Sequence, residues 1–199
     1  MKIIGSLTSP YVRITRALAE ELSLSYELVQ ISTMLAPTPE EAELVKNNNP
    51  LIRVPVLQDS DNTIFDSRII CNYLINKENN ISPFNKDLTI EQENAITAIL
   101  GICESAIVRI IFSHSTDLDL EEGYLKHSLD RVANTLNYLN SLEDLGKEFG
   151  LPELALICTI EFLEKRKVIE WRTYKNIETI YETYKDRPSL VKTSIPTDT

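Results

Sequence analysis

Cationic side chains are in short supply: 20 lysines and arginines stand against 30 aspartates and glutamates, a formal charge of −10. Non-specific nucleic-acid binding rests on clustered Lys and Arg displacing counterions, so a phosphate backbone is excluded as an expected partner. Cysteine is scarce too. Cys71, Cys103 and Cys158 are odd in number, far apart and set among apolar neighbours without C-x-x-C spacing. That pattern argues against a dithiol or metal centre and fits buried free thiols in a reducing compartment. His114 and His127 each lack a second ligand at helical spacing, so no metal is expected. No run approaches the roughly 18 apolar residues that would span a bilayer. Lys2 and the brief Ile3-Ile4 pair do not form a signal-peptide core. The expected location is therefore the cytoplasm, with no membrane partner.

What the 199 residues do contain is an ordinary globular mixture, 43% apolar and 25% charged. A chain of this size makes one large unit or two small ones, each able to bury a core. Lys2 to Leu7 reads as a strand, Pro10 to Ser23 as a helix with Val12, Leu18 and Leu22 along one side, and Tyr26 to Ile31 as a second strand. The crossover implies parallel pairing and a right-handed connection. Ser32 to Thr38 reads as a loop and Pro39 to Lys46 as a short acidic helix. Arg53 to Gln58 and Thr63 to Phe65 then form an antiparallel hairpin about the Asp59-Ser60-Asp61-Asn62 turn, and Ser67 caps a helix with Ile70, Leu74 and Ile75 on its apolar side.

Past a non-periodic linker the pattern is helical only. Thr89 and Gln92 make a capping box, and Ile96, Ile99, Leu100, Cys103, Ile107, Ile110 and Ile111 follow at helical spacing. Leu120 to Leu145 forms a second long helix. Pro152 opens a central buried one, and Asn176 to Asp186 is a fourth, stopped by Arg187-Pro188-Ser189. The expected domains are 1–77 and 87–199, joined by 78–86, with Ile195 to Thr199 a loose tail.

The stretch Ser6-Leu7-Thr8-Ser9-Pro10-Tyr11-Val12-Arg13 joins the first strand to the first helix. Serine is a preferred N-cap and proline is tolerated at the first helical position. The helix start favours negative charge, so a small thiol bound there would be held as thiolate by the Ser9 hydroxyl. On local sequence alone the plainer reading, that Ser9 only caps the helix, is the commoner one.

This order of elements resembles the glutathione S-transferase superfamily, a thioredoxin-like domain (β-α-β-α-β-β-α) followed by an all-helical domain. Thr8-Ser9-Pro10-Tyr11-Val12-Arg13 resembles the active-site segment of bacterial serine-type members of the YibF-like kind. Asn49-Pro50 with Arg53-Val54-Pro55-Val56-Leu57, Asp66-Ser67-Arg68-Ile69-Ile70 with Tyr73-Leu74, and Arg187-Pro188-Ser189 with Thr193 and Pro196 match further motifs in order. The resemblance implies a transferase that uses glutathione as co-substrate, with a small hydrophobic electrophile and a homodimer whose contact includes the helix from Thr89.

On that resemblance, Ser9 is the catalytic donor to the glutathione sulfur, with Thr8 as a substitute. A cis Val54-Pro55 bond, against a trans proline protecting a strand edge, leaves the Val54 main chain free for the tripeptide. Asp66 and Ser67 hold the γ-glutamyl end. Arg53 is either a partner of the glycyl carboxylate or a solvated surface charge. Without a cysteine at this point, thiol-disulfide exchange through the protein is not implied. Gly150 and Glu153 replace the usual Ser/Thr cap and Asp of the central helix. Gly101, Glu104, Ser105, Val108 and Arg109 are the expected electrophile-facing residues. The alternative is a non-catalytic interaction protein on this fold, like the stringent-starvation proteins that bind RNA polymerase.

Overall fold

The computed structural model describes residues 1–77, 83–115 and 119–196. They fall into two compact units, Met1–Lys86 with Pro188–Thr199, and Asp87–Arg187. The first unit opens with β1 (Lys2–Gly5), α1 (Pro10–Glu21), β2 (Glu27–Gln30), α2 (Pro39–Asn48), β3 (Val56–Asp59), β4 (Asn62–Phe65) and α3 (Ser67–Lys77). The strands lie in the order β2-β1-β3-β4, β1 parallel to β2 and the other pairs antiparallel. This is the expected thioredoxin-like order. Ile4, Ile31, Val45 and Val56 form a buried cluster against which Val29, Val54 and Phe65 pack. Val12, Ala17 and Leu18 of α1 and Ile70, Cys71 and Leu74 of α3 are buried as well, and the two helices are in contact.

Several boundaries differ from expectation, among them β1, which ends at Gly5, and α5, which spans Gly123–Ser141; three of the differences have plain local reasons. The first helix stops at Glu21 because Ser23 adopts φ +54°, a left-handed ending that no side chain in the run announces. Strand β3 begins at Val56, since Arg53 to Pro55 belong to the loop that the proline closes. The cap of α3 is Asp66, with Ser67 its first helical residue: Asp66 Oδ1 accepts from the N–H groups of Arg68 at 2.8 Å and Ile69 at 3.4 Å.

The second unit holds α4 (Ile90–Ser115), α5 (Gly123–Ser141), α6 (Leu151–Lys165) and α7 (Lys175–Tyr184). The capping box at the start of α4 forms as read: Gln92 N–H donates to Thr89 Oγ1 at 3.2 Å and Thr89 N–H to Gln92 Oε1 at 2.9 Å. By length and composition Ile90–Ser113 is apolar enough to cross a bilayer, although Glu91, Glu93, Glu104 and Arg109 interrupt it. Ala95, Ile96, Ile99, Ile102, Cys103 and Ala106 are buried in the unit, where α4 packs on α5 and α6. At the start of α6, Glu153 replaces a side-chain cap, accepting from Gly150 N–H at 2.9 Å and Gly146 N–H at 3.0 Å. Gly146 itself sits at φ +92°, and a Cβ there would lie 2.4 Å from Ile180 Cγ1 of α7.

After a single 3-10 turn at Pro83–Asn85, the first unit's chain is interrupted until α8 (Pro188–Lys192). Residues 78–82 of the expected linker, and 197–199 of the expected tail, lie outside the described residues. The contacts separate Asp87 from Lys86 and, besides, Pro188 from Arg187: the segment that begins at Pro188 packs with the first unit, on α1. The segment Arg187-Pro188-Ser189 does stop α7, but Pro188 also starts α8, because proline suits a first helical position as well as a terminus.

Candidate functional site

Register alone brings the sequence-derived residues to one edge of the sheet. Ile4 pairs with Val56, and Val56 with Phe65, so the chain leaving β1, the chain entering β3 and the chain leaving β4 share that edge. Ser6 to Ser9, Val54-Pro55 and Asp66-Ser67 are those three segments. The end of β2 joins them, with Ile31 N–H donating to Gly5 C=O at 3.1 Å.

In the first segment two neighbouring hydroxyls have different fates. Ser6 Oγ donates to Ser32 C=O at 2.8 Å and contacts Thr8 Oγ1 at 3.0 Å. A hydroxyl has one proton, so Thr8 is the donor in that second bond and its proton is committed. Ser9 Oγ only accepts, from Val12 N–H at 3.4 Å. That is beyond the usual range of about 2.7–3.2 Å for N–H···O, so the bond is weak, and the Ser9 proton is given to no described residue. Val12 is fixed from the other side, since a Cβ on Gly5 would lie 2.4 Å from Val12 Cγ2.

The second segment is shaped by Asn49, a buried side chain. Its Nδ2 donates to Arg53 C=O at 2.7 Å and its Oδ1 accepts from Leu51 N–H at 2.9 Å. The Val54-Pro55 bond is cis, as the resemblance implied. With its side chain packed on the core cluster, Val54 has no main-chain hydrogen bond to the described residues. Arg53 is exposed, and its guanidinium makes no ion pair among the described residues.

In the third segment Asp66 adopts φ +72°. One carboxylate oxygen is used by the cap, while the other accepts from no described residue. Ser67 is buried at the helix start with its hydroxyl likewise uncommitted among the described residues. The edge thus presents a hydroxyl donor at one helix start, the Val54 main chain with no hydrogen bond to the described residues, and an acid beside a second helix start. Such a set suits a small peptide-like ligand bearing a thiol, a carboxylate and an ammonium.

Residues 1–76 match the family model described as the glutathione S-transferase N-terminal domain. The uncharacterized GST-like protein YibF of Escherichia coli K12 is 27% identical over 96% of this chain and 91% of its own length. A glutathione S-transferase from Methylobacillus flagellatus KT, solved with GSH bound, superimposes with a TM-score of 0.86 at 25% identity, covering 98% of this chain and 99% of that one. The first 76 residues are thus similar to the N-terminal domain of glutathione S-transferases, and the whole chain is similar in fold to that solved transferase. Glutathione S-transferase 4 of Zea mays is 35% identical over 77 residues, 39% of this chain, and the match spans only about a third of that relative's length, 34%.

The structure also gives roles to residues outside the quoted motifs. Glu41 organises the loop after β2: it accepts from Ser32 N–H at 2.6 Å, Ser32 Oγ at 2.7 Å and Thr38 N–H at 2.8 Å. Those bonds, Thr38 foremost, hold its carboxyl below the usual range. The signal was present as Thr38-Pro39-Glu40-Glu41, a capping-box spacing. Arg109, expected to face an electrophile, instead donates to the carbonyls of Leu120 and Leu125 and pairs with Glu121, tying α4 to the start of α5. Gly101 and Glu104 are exposed, whereas Ser105 is buried.

Proposed function

We propose that this chain is a glutathione-dependent transferase in which Ser9 stabilises the thiolate. The observation that carries the reading is the uncommitted Ser9 proton at the start of α1, beside Thr8 whose proton is already used. The glutathione-bound state of the M. flagellatus relative supports the choice of ligand. In this reading Ser9 Oγ donates to the sulfur and the positive end of α1 lowers the cost of the negative charge. The Val54 main chain pairs with the tripeptide as an added strand. Ser67 at the start of α3 takes the γ-glutamyl carboxylate, and the outer oxygen of Asp66 takes its ammonium.

The thiol proton leaves to solvent, the thiolate forms a bond to carbon in a small hydrophobic electrophile, and the displaced group departs with the electron pair. Binding both reactants supplies orientation, and stabilising the anion supplies reactivity. A homodimer belongs to the same proposal, supported by the exposed apolar residues Ile90, Ile111 and Phe112 on α4.

Isothermal titration with glutathione followed by ultraviolet thiolate absorbance tests the reading. Ser9→Ala is expected to reduce the thiolate-to-thiol ratio at neutral pH about 10-fold or more, one pKa unit or above. Thr8→Val is expected to leave it within about twofold, because that proton never faces a ligand. Equal absorbance in Ser9→Ala and the parent refutes the role of Ser9. Absence of glutathione binding by the parent favours an interaction protein on this fold.

A further inference from the structure

We infer that Arg13 and the returning segment α8 together form a brace that positions Ser9, so that residues some 180 positions downstream help set the geometry of the thiol site. The inference rests on the reading of Ser9 as thiolate donor and adds to it a positioning residue and a distant structural element.

The path is a chain of hydrogen bonds. Arg13 lies one helical turn beyond Ser9, and its N–H donates to Ser9 C=O at 3.0 Å. The Arg13 side chain is almost wholly buried, 1% exposed, and its Nη2 donates to Leu190 C=O at 3.3 Å. Leu190 offers that carbonyl for a definite reason. The last carbonyls of a helix lack intrahelical partners. At the end of α8 the N–H of Thr193 goes to Ser189 C=O, and that of Ser194 to Val191 C=O. The carbonyl between them is left for a side chain, and Arg13 supplies it. Thus the same residue holds the main chain of Ser9 on one side and that of α8 on the other.

The far end of α1 is held by the same short helix. Ser189 Oγ donates to Glu21 Oε1, and Lys192 Nζ pairs with Glu20 Oε2 at 2.7 Å. Leu190 and Thr193 are buried, and Thr193 Oγ1 closes the turn by donating to Ser189 C=O at 2.7 Å. Helix α1 therefore cannot slide or roll without breaking contacts to α8. A shift of about 1 Å at a group that orients a reactant costs on the order of 100-fold in rate. A buried guanidinium that contacts no reacting atom, set one turn behind the reactive serine, is suited to prevent such a shift.

The test compares Arg13→Met, Arg13→Lys, the double variant Ser189→Ala/Lys192→Met, and the chain ended after Arg187, all at a temperature where each is folded by circular dichroism. Lys77→Met serves as a stability control remote from the brace. In Arg13→Met and in the shortened chain, amide exchange at Val12 and Arg13 is expected to rise at least tenfold. Thiolate absorbance at saturating glutathione is expected to fall three- to tenfold, while the Kd of S-methylglutathione, which has no thiol to ionise, stays within twofold. Arg13→Lys restores at least half of the lost absorbance, since one N–H suffices for the Leu190 carbonyl. The double variant, which removes only the outer bonds and folds even if the shortened chain does not, shows a smaller change of the same sign. Parent-like thiolate absorbance in Arg13→Met with lost absorbance in Ser9→Ala overturns the brace and leaves the transferase reading intact. Failure of the parent to bind glutathione overturns both.

Discussion

Replacing Gly5 by alanine is the sharpest test of how the β1–α1 junction is packed. The added Cβ would stand 2.4 Å from Val12 Cγ2, 2.8 Å from Cγ1 and 3.2 Å from Cβ. Rotating the valine cannot relieve all three contacts, and Val12 is fully buried, so the helix must move or the strand must bend. Overpacking of this kind costs about 1–3 kcal/mol. Val12→Ala alone removes two buried methyl groups, about 2 kcal/mol with the hole it leaves. In Gly5→Ala/Val12→Ala the new methyl enters that hole. The pair is therefore expected to cost less than the sum of its parts by at least about 1 kcal/mol, the sign of a shared cavity. Urea unfolding measures this, a loss of 2 kcal/mol moving the midpoint by about 1 M at a slope near 2 kcal/mol/M. The one tryptophan, Trp171, belongs to the second unit, so far-UV circular dichroism and amide exchange of β1 and α1 are the appropriate probes. A Gly5→Ala variant as stable as the parent, or strictly additive energies in the double variant, would refute the packing argument.

Four further outcomes are expected. Asp66→Ala should destabilise α3 by about 1 kcal/mol through loss of its cap, with Asn tolerated at the same left-handed position; thermal unfolding compares the two. The carboxyl of Asp59 is held below 3.8 by Lys77 first and Tyr73 second, so what it contributes to stability is present above that pH and is lost as pH falls through its lowered value. Asp59→Asn should flatten the acid limb of a stability–pH curve below about pH 4, whereas an unchanged acid limb would show that the Lys77 contact contributes nothing. Glu153→Ala frees the amides of Gly146 and Gly150 together and should cost about 2–3 kcal/mol by urea unfolding, more than an exposed cap. Burial pushes the Cys103 thiol up to about 12, beside Thr159 Oγ1 at 3.2 Å, so it should resist a disulfide reagent until the protein unfolds.

Much of the architecture was legible because it is written in short-range terms. Ser9-Pro10, Thr89 with Gln92 and the apolar spacing of α4 each set a local preference that the packing then agrees with. The candidate residues share a sheet edge because strand order and register follow from those elements. What escaped reading has a common physical origin in long separations or in backbone state. Arg13 meets Leu190 across 177 positions, and Ser189 meets Glu21 across 168, distances at which neither side chain announces its partner. Asp66 at φ +72° looks from its neighbours like the residue before a serine cap, and only the left-handed turn makes it the cap. Arg109, which the resemblance placed on the side of α4 toward an electrophile, has its donors taken by the chain entering α5, another contact that no local motif announces.

The return of the chain to its first unit after Arg187 bears on how the protein is made. Domains emerging from the ribosome fold as they appear, at about 5–20 residues per second. The sheet and α1 are complete by Lys86, but α8 arrives only after roughly one hundred intervening residues, about 5–20 s later. Through that interval a guanidinium destined for burial has no carbonyl to meet, and the nascent first unit waits in a looser form that chaperones and proteases can reach. Maturation of the serine-bearing helix is thereby coupled to successful synthesis of everything inserted between.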